Sequence, residues 1–317
     1  MIDIVIPSHN RPEELASHTL QIVPEAHVLV HRDEDADLYE PHLPNSTNLW
    51  VMNTEPGGCG KSLKMREYMR SKSEGEWVLF MDDDVKNIYR LKEPWYSNEE
   101  CPVWDIRDSD ERKWARDQFQ SLEMRIEDGS LWKLIEEMIE ESERQGATLA
   151  GARLGMNILY RRCTQVDGQI VSHEGCRWRS TSFLAGVFML VRKTEMTIPM
   201  SHVEDWHMTL KHMWRDGKVL SNGHTFVNVR SFSNRHEGGF GRREERLAAQ
   251  ERDFLWLEKK FEGVIRCYTR KNGYLNIAFK PYTARNIQRF RETHPFENYD
   301  LPYYDVHAES WKETLKV

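Results

Sequence analysis

The sequence predicts an α/β fold: a mostly parallel, Rossmann-like sheet with flanking helices and a C-terminal extension. Three observations carry this. Short β-rich runs alternate with helical segments through the first quarter of the chain, the spacing suits crossover helices, and each run closes on polar residues. Residues 2–6 (IDIVI) are the first strand, stopped by Pro7. A polar stretch with an N-cap at Ser8 or Asn10 then leads into a helix over 12–20. Residues 27–31 (HVLVH) are the second strand, closed by the polar run Arg32, Asp33, Glu34, Asp35. Residues 49–52 (LWVM) are the third, and 53–60 form a Gly-rich connection into a helix beginning near Ser62. Residues 76–81 are the fourth strand and end abruptly in three aspartates. In parallel sheets ligands sit beyond the carboxyl ends of the strands. Here those ends carry Asn10 and Arg11, then 31–35, 53–61 and 82–84, and all four are polar.

Farther along, residues 111–145 read as helical. Leu131, Leu134, Ile135, Met138 and Ile139 recur at helical spacing, and that stripe belongs to the core. Residues 148–156 and 182–191 read as strands. A helix over 203–215 follows, introduced by Ser201 with Glu204 completing a capping box. Residues 225–229 are a strand, 235–241 a charged Gly-rich loop, and 244–260 a patterned helix. The aromatic-rich residues 280–317, with three prolines, read as a tail wrapping the core. The expected division is a catalytic domain over 1–240 and a basic helical extension over 241–317 packed upon it.

Charged residues make up 30% of the 317 and apolar ones 39%, the profile of a soluble globular chain with a real core. No apolar run is long enough to span a membrane, and the start has the wrong flanks for a signal peptide. Five cysteines without a CxxC pair suit a reducing, cytoplasmic setting and exclude a disulfide framework or zinc knuckle. The net charge of −7 hides an asymmetry. Residues 99–144 hold 15 acidic and 7 basic side chains, whereas 230–291 hold 15 basic and 7 acidic ones. The second segment offers a polyanion a positive surface if its charges share a face.

The run Trp77, Val78, Leu79, Phe80, Met81 delivering Asp82, Asp83 and Asp84 is the sharpest feature. Carboxylates at a buried strand end need a counter-charge, and a hard divalent ion, Mg²⁺ or Mn²⁺, with diphosphate oxygens supplies one. On an extended chain Asp82 and Asp84 project to one side. Residues 53–62 miss a Walker A loop by one position, with Glu55 where glycine is required; Lys61 and Arg66 remain charge partners for a diphosphate. His236, before a Gly-rich loop with Phe240, Arg242 and Arg243, is a metal or phosphate ligand, with His224 its rival and Arg235 beside it. Glu204 and Asp205, at a helix start, supply a general base for an acceptor hydroxyl or a favourable N-terminal charge.

With these residues assembled, the chain resembles the GT-A glycosyltransferases, especially the family-2-like group, over roughly residues 1–240. The segment IVIPSHNRP at 4–12 looks like that group's opening strand and nucleotide loop, including Pro7, Asn10 and Arg11. Asp33 falls where a base contact lies, EWVLFMDDD at 76–84 is close to the DxD segment, FLAG at 183–186 precedes the acceptor region, and Glu204–Asp205 matches the ED motif. The resemblance implies a UDP- or GDP-sugar donor with Mn²⁺ or Mg²⁺. It puts Asp84 and His236 on the metal, Asp82 and Asp83 at the donor, and Asp205 as base in an inverting transfer. A narrower likeness is to phage-encoded glycosyltransferases found with TET/JBP-type DNA-base oxygenases. It implies host cytoplasm and a double-stranded DNA acceptor carrying 5-hydroxymethylpyrimidines. Arginines would position the duplex and Trp178, Trp206 or Phe240 would assist base flipping. A glycan, lipid or protein acceptor, and a non-catalytic binding protein on the same scaffold, are the alternatives.

Overall fold

The structure, a computed structural model, describes residues 2–52, 71–91, 123–125, 130–154, 164–166, 169–171, 178–193, 203–229, 243–271 and 273–296. The expectations placed on 53–70, including Lys61 and Arg66, and on 230–242 lie outside the described residues.

The first strands are β1 (Ile2–Pro7), β2 (His27–Val30), β3 (Asn48–Val51) and β4 (Trp77–Met81), adjacent in the order β3-β2-β1-β4 and all parallel. They are joined to β5 (Val85–Leu91), β6 (Glu123–Arg125), β7 (Leu149–Leu154), β10 (Trp178–Arg179), β11 (Phe188–Arg192) and β12 (Leu220–Val229) in one ten-stranded sheet. A separate pair holds β8 (Thr164–Val166) and β9 (Gln169–Val171). Beyond β4 the pairing becomes mixed. β11 runs antiparallel between β4 and β7, and β12 runs parallel to β7 but antiparallel to β5 and β10.

The parallel half is covered on both faces, as near-continuous apolar strands require. On β1, Ile4 and Ile6 face one layer while Val5 faces the other; on β4, Leu79 and Met81 oppose Val78 and Phe80. The first layer holds α1 (Pro12–Ser17), α2 (Asp33–Tyr39) and α3 (Ser130–Gln145), through Leu15, Tyr39, Leu134 and Met138. The second holds α4 (Glu204–Asp216), α5 (Arg243–Lys260) and α6 (Thr283–Thr293), through Met213, Leu257 and Phe290. The C-terminal elements therefore share an apolar cluster with Val5, Leu29, Val78 and Phe80 of the sheet.

Several elements depart from the sequence reading. The polar run after β2 is the first turn of α2, whose acids favour a helix N-terminus and where Asp35 accepts from the Arg32 amide at 3.1 Å. Within the stretch read as helical, 123–125 pairs with β5 as a strand and a helix spans Ser130–Gln145, while 111–122 and 126–129 lie outside the described residues. The strand read from Ser182 begins at Phe188, because 183–187 turn across the sheet end and bond elsewhere. Ser201, read as the cap of the next helix, lies outside the described residues. The N-cap of α4 is Val203 with no side-chain cap, and Asp205 instead accepts the Trp206 amide at 2.7 Å. The basic extension is not wholly helical: β13 (Ile265–Thr269) and β14 (Leu275–Phe279) form a hairpin between α5 and α6.

Candidate functional site

The carboxyl ends of β1, β2 and β4 meet at one rim. After β1, the Ser8 amide donates to the Leu29 carbonyl at 3.0 Å and continues the ladder for one more step. Asn10 then adopts φ 55°, a left-handed conformation that asparagine tolerates better than most residues. The chain reverses there, and Arg11 reaches back over the end of β4. Its guanidinium lies 2.7 Å from Asp83 and 3.9 Å from Asp84.

Asp83 is buried at 1% exposure and both its oxygens are engaged, one by Arg11 and the other by the Ser8 hydroxyl at 2.6 Å. Tyr39, fully buried on α2, joins the same network: its hydroxyl lies 2.7 Å from Ser8 Oγ and accepts the Arg11 amide at 3.0 Å. Burial pushes the Asp83 carboxyl up to about 7, against the opposing pull of Arg11 and Ser8. Burial likewise lifts the Tyr39 hydroxyl to about 12, so it stays protonated. Both Asp83 oxygens are thus engaged within the fold, and a direct ligand contact would require it to exchange one of these partners.

Asp82 is half-buried and Asp84 is 8% exposed. The expectation that Asp82 and Asp84 project to one side of an extended chain is not met, since the backbone turns at Asp83 and Asp84 before β5 begins. A different device holds them. The Thr19 hydroxyl, fully buried, donates to the Asp82 carbonyl at 3.0 Å and accepts the Val85 amide at 3.0 Å. The Asp82 amide donates to the Val187 carbonyl at 3.2 Å. Burial, and then repulsion from Asp82, raises the Asp84 carboxyl to about 6. Two mutually repelling carboxylates at a rim fit a hard divalent cation, which ordinarily takes one or two protein carboxylates and fills its shell with phosphate oxygens and water. Among the described residues no group of three His, Cys, Asp or Glu side chains forms a closed metal cage. His236 lies outside those residues, and His224 stands on β12.

The start of α4 stands at the same end of the sheet. Segment 183–187 crosses just beyond Met81, which pairs with Phe188. The Leu184 amide donates to Thr209 of α4 at 3.3 Å, and Phe183 stacks on Trp206 with ring centroids 4.4 Å apart. Glu204 is buried and Asp205 half-buried in the first turn of this helix. Asp33 is exposed at the start of α2, beyond the end of β2, and Pro7 ends β1 opposite Leu29. The structure therefore brings Pro7, Asn10, Arg11, Asp33 and residues 82–84 to one rim, with Glu204 and Asp205 reaching that end on a helix.

The aromatic residues are placed differently. Trp178 is half-buried on β10, pairing with Asn222 and packing on the core. Trp206 is packed against Phe183 and, at 5.1 Å, Phe279. Arg243 opens α5, while Arg235, Phe240 and Arg242 fall outside the described residues. Sequence reasoning missed Ser8 as an Asp83 partner, Thr19, Tyr39 and the Val187 carbonyl. Ser8 stood next to the residues singled out; the other three carry no local signal.

No protein-family model matches the sequence, and no curated protein matches it. Solved structures are similar at low identity. Staphylococcus aureus TarS 1–349 is 12% identical, with 72% of this chain and 60% of that one covered and a TM-score of 0.37. This chain thus spans less than two thirds of that structure. Glucosyl-3-phosphoglycerate synthase from Mycobacterium tuberculosis, solved with Mn²⁺, UDP and glucosyl-3-phosphoglycerate, is 12% identical over 89% of this chain and 87% of that one, TM-score 0.42. The mannosyltransferase PcManGT from Pyrobaculum calidifontis, in complex with GDP-Man and Mn²⁺, is 10% identical over 99% and 80%, TM-score 0.40. Scores this low transfer no residue role and no activity to this chain.

Proposed function

We propose that this chain is a metal-dependent glycosyltransferase of the GT-A type that moves a sugar from a UDP- or GDP-sugar to an acceptor hydroxyl. The observation that carries the reading is the rim itself. Asp82 and Asp84 flank a buried Asp83 that Arg11, Ser8 and Tyr39 lock in place, at the ligand-binding end of a parallel sheet. A bound Mn²⁺ or Mg²⁺ would supply charge compensation for the departing diphosphate. Asp84 would hold the metal and Asp82 would hold the donor's ribose or sugar. Asp205 would accept the proton of the acceptor hydroxyl as its oxygen bonds to the anomeric carbon and the bond to the diphosphate breaks. A direct displacement of this kind inverts the anomeric centre.

For the acceptor, the reading extends to the hydroxymethyl group of a 5-hydroxymethylpyrimidine in DNA. Its support is the basic C-terminal segment on an otherwise acidic chain. The test is a panel of UDP- and GDP-sugars with Mn²⁺ against plain, 5-hydroxymethylcytosine and 5-hydroxymethyluracil DNA and against free glycans, with products read by mass spectrometry. Hexose or pentose mass on the modified base is the expected result. Transfer to the glycans alone would replace the DNA acceptor while keeping the enzyme. Asp84→Asn is expected to lower the rate by about 100-fold or more, the scale of one lost electrostatic contact to the transition state. Undiminished transfer by that variant, or transfer persisting in saturating chelator, would overturn the metal's role.

A further inference from the structure

We propose that the outer face of the β13–β14 hairpin is a docking surface for single-stranded nucleic acid. Between Glu262 and Glu292 the chain has no acidic residue and seven basic ones, although the whole molecule carries −7. The hairpin register sorts these residues by face. Arg266 stands opposite Ala278, Tyr268 opposite Asn276, and the Arg270 amide donates to the Tyr274 carbonyl at 2.8 Å. Directly opposed residues share a face, so Arg266, Tyr268, Arg270, Tyr274, Asn276 and Ala278 form one surface without a carboxylate. Both arginines are exposed, Tyr268 is 41% exposed and Tyr274 36%. The opposite face is committed to the core: Ile265 and Ile277 are buried, and Cys267, Leu275 and Phe279 pack on the same cluster. The Cys267 amide donates to Glu258 of α5 at 2.8 Å, which anchors the hairpin to that helix.

The pattern fits one ligand chemistry. Arg266, Tyr268 and Arg270 alternate along one strand, so successive side chains on this face stand about 7 Å apart. That step matches the nucleotide repeat of an extended single strand, with guanidinium groups on phosphates and tyrosine rings under bases. Asn276 donates to the Tyr268 hydroxyl at 2.8 Å and holds that ring to the sheet face. A bilayer would instead require large aliphatic or tryptophan side chains to insert, and this face presents only the half-buried Ala278. The inference deepens the DNA-acceptor reading and rests on it for its purpose, since a base leaving its duplex exposes single-stranded character.

The experiment is fluorescence anisotropy of the full chain with a labelled single strand and with its duplex, across a salt series and without donor or metal. The single strand should bind more tightly. Arg266→Gln with Arg270→Gln should weaken binding about tenfold or more and reduce the salt slope by about 1.4, two phosphate contacts' worth. Tyr268→Ala with Tyr274→Ala should weaken single-strand binding about tenfold and leave the slope unchanged. Should the tyrosine variant lose its thermal transition, Arg270→Glu at the exposed tip carries the test. No oligonucleotide binding by the unaltered chain overturns the proposal, as do variants that bind like it or tighter binding of the duplex than of the single strand. Failure here leaves glycosyl transfer to a free acceptor intact, and failure of transfer leaves strand binding intact, so the two readings fail separately.

Discussion

Asp83 and Asp84 are neighbours with opposite demands. Asp83 has partners for both its oxygens in Arg11 and Ser8, and they offset only part of the cost of burying its carboxylate. Asp84 sits 3.9 Å from the same guanidinium and is repelled by Asp82. Neutralising each should therefore separate stability from function. Asp83→Asn leaves the Arg11 charge with a weaker partner. Because the Arg11 side chain is 28% exposed and water screens it, the expected cost is about 2 kcal/mol, not the full penalty of a wholly buried pair. Asp84→Asn removes a repulsion and should be neutral or stabilising by up to about 1 kcal/mol while transfer is lost, the trade expected of a site residue. Urea unfolding of both variants without metal decides this: equal losses in the two would mean that Asp84 is also a structural residue.

Among the elements, the turn from β4 into β5 is held less by its own sequence than by the two segments beside it. Thr19 follows α1, and its hydroxyl is bonded to both ends of the turn; the strand-leading segment 183–187 holds the Asp82 amide. Thr19→Val keeps the shape and removes the hydroxyl, which leaves the buried Val85 amide without this acceptor. The expected cost is about 2 kcal/mol, with weaker Mn²⁺-dependent donor binding, measurable by thermal melts and by titration with the nucleotide diphosphate. A stability loss with unchanged donor affinity would mean that Thr19 does not position the turn for ligand. Such partners explain what the sequence could and could not disclose. β1, β2 and β4 were legible because apolar runs ending in polar residues are local patterns, and the aspartate trio was legible for the same reason. Thr19 and Tyr39 were not, since sheet register and helix packing bring Thr19 to Asp82 and Val85, and Tyr39 to Ser8 and Arg11, from far along the chain. The hairpin did leave a signal in the dipeptide Asn272-Gly273 between two β-rich runs. It was masked by the basic composition around it. Helix α2 was hidden because its first turn is acidic and reads as loop, although acids there favour a helix start.

At the scale of the whole molecule, the layer of α4, α5 and α6 buries polar groups as well as apolar ones, and this has a consequence for pH. His207 on α4 is fully buried, meets the edge of Trp256 on α5, and lies near Lys211 and Lys260. Burial first, then those two lysines, hold its proton affinity well below the ordinary value of 6.5. The folded chain therefore keeps this imidazole neutral, whereas the unfolded chain takes up a proton as the pH falls below 6.5. Its contribution is complete above that value and declines below it, by up to about 1.4 kcal/mol per pH unit. His212 on the same helix is shifted downward too, again chiefly by burial, and adds to the decline. Asp83 and Asp84 are raised by burial and act in the opposite sense, binding protons in the folded state at a pH where the unfolded chain has released them, so the total profile blends both slopes. A variant isolates one component. His207→Leu removes the titrating ring, so its stability difference from the unaltered chain should be constant above pH 6.5 and shift in the variant's favour as pH falls from 6.5 to 5. Urea unfolding of both chains across that range measures the difference directly. A gap that stays constant with pH would mean that the buried ring takes up its proton in the folded chain as readily as in the unfolded one, and that the α4–α5 contact accommodates the charge.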